Sequence, residues 1–357
     1  MIPSTPVDSP SPNLTIKLAA GTKPIRAQGD AGRFLFAATL LWSCSGTISP
    51  TLTYDEQGSR VESPASNTEK AGSELAQEVA EYSESGDPLR GGRLYDEFYG
   101  ENTEFAFVPD DPETPALDGR GGPSGNGTLP NSRGSTLSNA LDHGYRIKSF
   151  FGWDLRGSDG VYGPEYHDKL YVADYNLLDD PLTREQIAQL LVDGAADVPA
   201  YGQIMPEEDL SDLVAFVLAV RAHELPRPSD IWDLDRSAPN GYVLRAGANV
   251  AAGRAAIRSS CGTCHGADGA KMLFDDGEFS LGTLARSGAY EVWFKIVAGN
   301  PGSPMGSQLP SNESWSTQSQ MVLDVLAALC DRSAFPAGGA SEPDVAANDP
   351  GCRSYLR

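Results

Sequence analysis

Apolar positions recur at helical spacing in two well-separated stretches. Residues 210–220 carry Leu210, Leu213, Val214, Phe216 and Val217 on one face, and residues 319–329 carry Val322, Leu323, Val325 and Leu326. Each predicts an amphipathic helix that closes a compact unit. Upstream of each lies a glycine-led segment, Gly91-Gly92-Arg93-Leu94-Tyr95 and Gly253-Arg254-Ala255-Ala256-Ile257. In both, the residues three and four positions after a glycine share one helical face, which predicts a first helix that the closing helix can cross at close range. Residues 100–141 are rich in Gly, Pro and Asp with no periodic pattern and are expected to form a surface loop. Residues 45–88 are Ser-, Glu-, Thr- and Gly-rich with few large apolar side chains, and read as a tether with a short helix around residues 74–82.

Between the first and closing helices of each unit lies a further echo. Residues 146–154 align with residues 260–268 through a shared Gly-x-Asp tail, Gly152-Trp153-Asp154 and Gly266-Ala267-Asp268. The second copy contains Cys261-Gly262-Thr263-Cys264-His265. Two thiols three positions apart reach both vinyl groups of a haem, and the adjacent imidazole is carried under the iron as its proximal ligand, so this run specifies covalent haem c. In the first copy Ile147 and Phe150 stand at the thiol positions and Phe151 at the imidazole position. A structural zinc site would need a further ligand pair, and none of the remaining Cys and His is spaced for one. A thioredoxin-like thiol pair is the other alternative, less well suited to a His directly after the second Cys. His143 and His167, with no acidic cluster beside them, read as ordinary surface or hydrogen-bonded histidines.

The sixth iron position separates a carrier from a catalyst. Met305 is the candidate, because Gly299-Asn300-Pro301-Gly302-Ser303-Pro304 forms a loop able to wrap beneath a haem and hold a thioether against iron. Met272 follows the motif too closely and reads as haem-edge packing, Met321 falls on an apolar helix face, and Met205 lies near where a ligand would stand had the first unit bound haem. His223 reads as a favourable charge at a helix end.

Composition narrows the partners. A formal charge of -22 and a pI near 4.5 argue against nucleic acid and anionic lipid, and fit either a redox partner with a basic docking face or acidity that serves only solubility or adaptation to salt. Residues 34–42 are too short an apolar run to span a bilayer but suit the core of an export signal. With Cys44 after Ser43, the stretch resembles a bacterial lipoprotein signal, although Trp42 and the long polar opening depart from that pattern; a buried strand of a secreted protein is the other reading. Haem c is attached outside the cytoplasm, so a periplasmic or extracellular location is expected either way. Of the five Cys, two are assigned to haem and one to lipid, which leaves Cys330 and Cys352 as a candidate disulfide in an oxidising compartment.

The segments at residues 91–99, 151–163, 261–269 and 293–305 together resemble a family of bacterial two-domain c-type cytochromes. The resemblance implies one haem per domain in the family, His265/Met305 ligation here, and loss of the first haem where the first Cys pair is missing. The expected fold is mainly α: two tandem class I cytochrome c-like domains, the first haemless, behind a disordered tether. The boundaries are 1–43 for the signal region, 44–88 for the tether, 89–226 for the haemless domain, 240–332 for the haem domain and 333–357 for the tail. Three functions compete: a mono-haem electron carrier, a haem subunit of a periplasmic oxidoreductase of thiosulfate dehydrogenase type, and a structural or docking subunit of a respiratory complex.

Overall fold

A computed structural model describes residues 86–101, 128–138, 146–162, 172–195, 197–274, 277, 279–338 and 344–357. The apolar run 34–42, Cys44, residues 45–85 of the expected tether, His143 and His167 lie outside the described residues. In chain order the elements are α1 (Pro88–Glu101), β1 (Thr128–Pro130), β2 (Thr136–Ser138), α2 (Ile147–Phe151), α3 (Arg184–Asp193), α4 (Glu207–Arg221), α5 (Pro228–Ile231), β3 (Trp232–Leu234) and β4 (Tyr242–Leu244). They continue with α6 (Val250–Ala256), α7 (Gly262–His265), α8 (Leu281–Ser287), α9 (Ala289–Ala298) and α10 (Trp315–Leu329). The described chain is mainly α, with two two-stranded antiparallel sheets.

Two glycines set the framework. A Cβ built on Gly91 would lie 1.8 Å from the carbonyl oxygen of Asp212, and one on Gly253 would lie 1.9 Å from that of Asp324. No side chain fits at either point, so α1 crosses α4, and α6 crosses α10, backbone against backbone. The acid at each crossing also receives the chain entering the first helix. Asp212 Oδ1 accepts from Asp87 N at 2.6 Å, and Asp324 Oδ1 accepts from Asn249 N at 2.7 Å. Arg90 reinforces the first crossing by donating to Asp212 at 2.6 Å and to the fully buried Asp209 at 2.5 Å. Asn249 caps α6 by accepting from Ala252 N.

Within the segment expected to be an irregular surface loop, β1 and β2 pair with Leu129 opposite Leu137, and Leu129 is buried. The strands are three residues each, too short for an alternating pattern to register against the surrounding Gly and Pro.

The two halves pack directly on one another. Tyr95 of α1 stacks on Phe294 of α9 at 5.6 Å, Trp153 meets the same ring edge-on at 5.3 Å, and a Cβ on Gly92 would lie 2.5 Å from the Cβ of Ala298. The connecting segment belongs to this core as well. Trp232 packs edge-on to Trp293 at 5.7 Å, and Tyr242 Oη accepts from Ala289 N at 2.9 Å. At the far end, the fully buried Arg286 donates to the carbonyls of Leu329 and Phe335 and pairs with Asp344. Cys330 at the end of α10 and Cys352 form a disulfide with a Cα–Cα distance of 5.9 Å.

Candidate haem site

The helix begun by α6 does not run straight into the thiol motif. Residues Ile257–Cys261 form one turn of π-helix, anchored by the fully buried Ile257, before α7 resumes over Gly262–His265. A π turn inserts an extra residue, rotates the helix beyond it, and is frequent at functional sites. Gly266 then ends α7 with φ 85° and ψ 163°. Cys261 is half-buried and Cys264 exposed, both as free thiols. Burial pushes the Cys261 thiol up from its ordinary value.

His265 is buried, with the Phe274 ring 5.8 Å away. Its Nδ1 is enclosed with no hydrogen-bond partner, and burial lowers the imidazole from its ordinary value. A buried imidazole nitrogen without a partner is a polar group left unsatisfied in the bare chain, and burial favours the neutral form in which a ring ligates metal. Among the described residues no three His, Cys, Asp or Glu side chains converge on a point, so a closed tetrahedral zinc site has no ligand set there. The donor chemistry therefore fits a haem that brings its own four equatorial nitrogens and asks the protein only for thiols and axial ligands.

Met305 lies in a tightly wound loop after α9. Gly299 ends the helix at φ 96°, where a Cβ would be 2.5 Å from the carbonyl oxygen of Met305. Asn300 N donates to that carbonyl at 2.8 Å, and Gly299 bridges to Gly306. Met305 itself is half-buried.

The first half repeats this geometry with other side chains. Gly152 ends α2 with φ 75° and ψ 165°, the counterpart of Gly266. Ile147, Phe150 and Phe151 are all at or below 2% exposure, and Phe150 and Phe98 meet Tyr201 edge-on. Gly194 ends α3 at φ 70°, with its hypothetical Cβ 2.5 Å from the carbonyl of Val198, and Ala195 N donates to that carbonyl at 3.0 Å. Val198 is fully buried, and Met205, further along, is a core residue.

The remaining candidates fall away from the motif's chemistry. Met272 is exposed and Met321 packs at the margin of the core. His223 directly follows the C-cap of α4 and donates its N–H back to the Val220 carbonyl. It lies beyond the end of α4 at φ 57°, accepts on Nε2 from Arg227 at 3.1 Å, and packs on Trp315 at 4.9 Å. A buried cluster at Asp96, Lys148 and Lys295 went unread in the sequence, although a lysine inside the apolar segment 147–151 was a visible signal. No protein family, curated protein or solved structure matches this chain.

Proposed function

We propose that this chain is an exported c-type cytochrome that carries electrons through one covalently bound haem, and that its first half is a cytochrome c-like domain that has lost its haem. The observation that carries the reading is the pair of turns 147–152 and 261–266. One offers Cys261, Cys264 and His265 on a glycine-closed turn, and the other fills the same positions with buried apolar side chains.

In this reading Cys261 and Cys264 form the thioethers, His265 is the proximal ligand and Met305 the distal one. The haem, when bound, supplies one-electron exchange between ferric and ferrous iron. The protein's part is to fix both axial ligands and keep water from the iron, and a soft thioether favours the ferrous state and raises the potential. Attachment of haem c requires export, which places the protein on the periplasmic or extracellular side, with Cys44 as the proposed lipid anchor. The acidic surface suits a partner with a basic docking face. The packed first half also supports the docking-subunit reading, because a domain whose turn is filled with apolar side chains keeps its surface for a partner.

Pyridine haemochrome assay against protein concentration tests the reading, with a ratio of one haem per chain expected; a ratio near two or zero overturns it. Met305→Ala is expected to abolish the near-infrared sulfur-to-iron band of the oxidised protein and open the iron to carbon monoxide. Wild-type protein that already binds carbon monoxide readily would move the oxidoreductase reading ahead.

A further inference from the structure

Asp96 of α1 is 1% exposed and accepts from two ammonium groups, Lys148 of α2 and Lys295 of α9. Burial alone would raise its carboxyl; the two lysines outweigh burial and hold it below the ordinary carboxylate range. Lys148 lies 3.8 Å over the face of Trp153, in the half that carries no thiol motif. Lys295 lies over the same ring at 5.6 Å and reaches further. Its Nζ also donates to Asn300 Oδ1 at 2.6 Å, and Asn300 N donates to the carbonyl of Met305 at 2.8 Å.

The loop touches the first half at a second point. A Cβ on Gly302 would lie 2.5 Å from the carbonyl oxygen of Gly100, so the loop turns against the end of α1 with no side chain between. Asn300 is therefore bracketed between a buried ion cluster and the backbone of Met305, and α1 supplies both the cluster's anion and the loop's seat. Every link in that chain is a hydrogen bond to a charged group or a backbone contact, the types least free to drift.

We propose that the haemless half is part of the distal-ligand clamp: Asp96, through Lys295 and Asn300, is a positioning residue that holds the Met305 loop closed. The clamp rests on the reading of Met305 as distal ligand. It gives the haemless half a role beyond docking, because Asp96 of that half meets Lys295 of the other.

The test uses the full-length, haem-loaded protein. Imidazole is titrated into the oxidised form, with displacement of the thioether followed by loss of the sulfur band. Lys295→Met keeps the Asp96–Lys148 pair balanced, and Asn300→Ala removes only the acceptor; each is expected to raise the apparent imidazole affinity about tenfold, the effect of one charge-assisted hydrogen bond. Lys148→Met, which leaves Lys295 on both partners, is expected to lower the Tm and leave imidazole affinity at the wild-type value. Folded Lys295→Met with wild-type affinity overturns the clamp, and so does a Lys148→Met variant that opens as far as Lys295→Met. A wild-type spectrum with no sulfur band overturns Met305 ligation itself and the clamp with it, which tells that failure apart from failure of the clamp alone.

Discussion

The turns 147–152 and 261–266 close on the same glycine geometry and are filled in opposite ways. Both are short helical turns ended by a glycine in the left-handed region, Gly152 and Gly266. In the first, two phenylalanines and an isoleucine disappear into the core, each burial contributing about 1.5 to 3 kcal/mol. In the second, one thiol is exposed, another is half-buried, and an imidazole nitrogen is enclosed without a partner. The comparison teaches that one kind of glycine-ended turn can carry either a buried apolar set or a set of thiol and imidazole donors.

The largest expected effect comes from removing the thiols. Cys261→Ala with Cys264→Ala is expected to abolish covalent haem and to lower the Tm by about 10 °C, since the second half then lacks both cofactor and replacement side chains. A double variant that melts at the wild-type temperature would break the comparison. Next comes Phe151→Ala in the retired turn, expected to cost about 3 to 5 kcal/mol in denaturant unfolding while leaving the haem spectrum unchanged. A loss of haem from that variant would show that the filled turn still serves the site in some other way.

A smaller effect is expected from the tail, which has no counterpart in the first half. The disulfide closes a loop with a sequence separation of 22, and replacing Cys330 and Cys352 by Ala should cost about 3 kcal/mol, read by chemical denaturation without reductant. The smallest concerns the acids after each turn. Asp154 is fully buried, and burial raises its carboxyl to about 6 against the opposing Val161 N–H and Arg156, whereas Asp268 is exposed. The folded chain therefore holds the Asp154 proton more tightly than the unfolded chain does. Its contribution to stability is full below the unfolded value of 3.8 and is lost as the pH rises through about 6. Asp154→Asn is expected to remove that loss and stabilise the protein at pH 7 by on the order of 2 kcal/mol. Equal pH profiles for wild type and Asp154→Asn would rule this out.

Features legible in the sequence were those that only one residue type can satisfy. Gly91 and Gly253 announced their crossings because no other side chain fits against a carbonyl, and the Gly-x-Asp tails aligned because Gly152 and Gly266 both turn at positive φ. The helices 207–221 and 315–329 were legible from their apolar faces. Pairing across the halves was not, since Tyr95, Trp153 and Phe294 read as ordinary core aromatics and nothing local says that they meet. The ion cluster was hidden because its acid and two bases come from three separate helices.

The apolar face of α9 has one further consequence. Trp293, Phe294 and Ala298 are covered by Trp232, Tyr95 and Gly92, which come from the connecting segment and from α1. Cutting the chain after residue 226 would strip Tyr95, Trp153 and Gly92 from that face and leave Phe294 and Ala298 in water as a contiguous sticky patch, a surface that drives self-association. The thiol-bearing half is accordingly not a portable cassette. Grafting it onto another protein, or expressing it alone, would require repainting α9 with polar residues first.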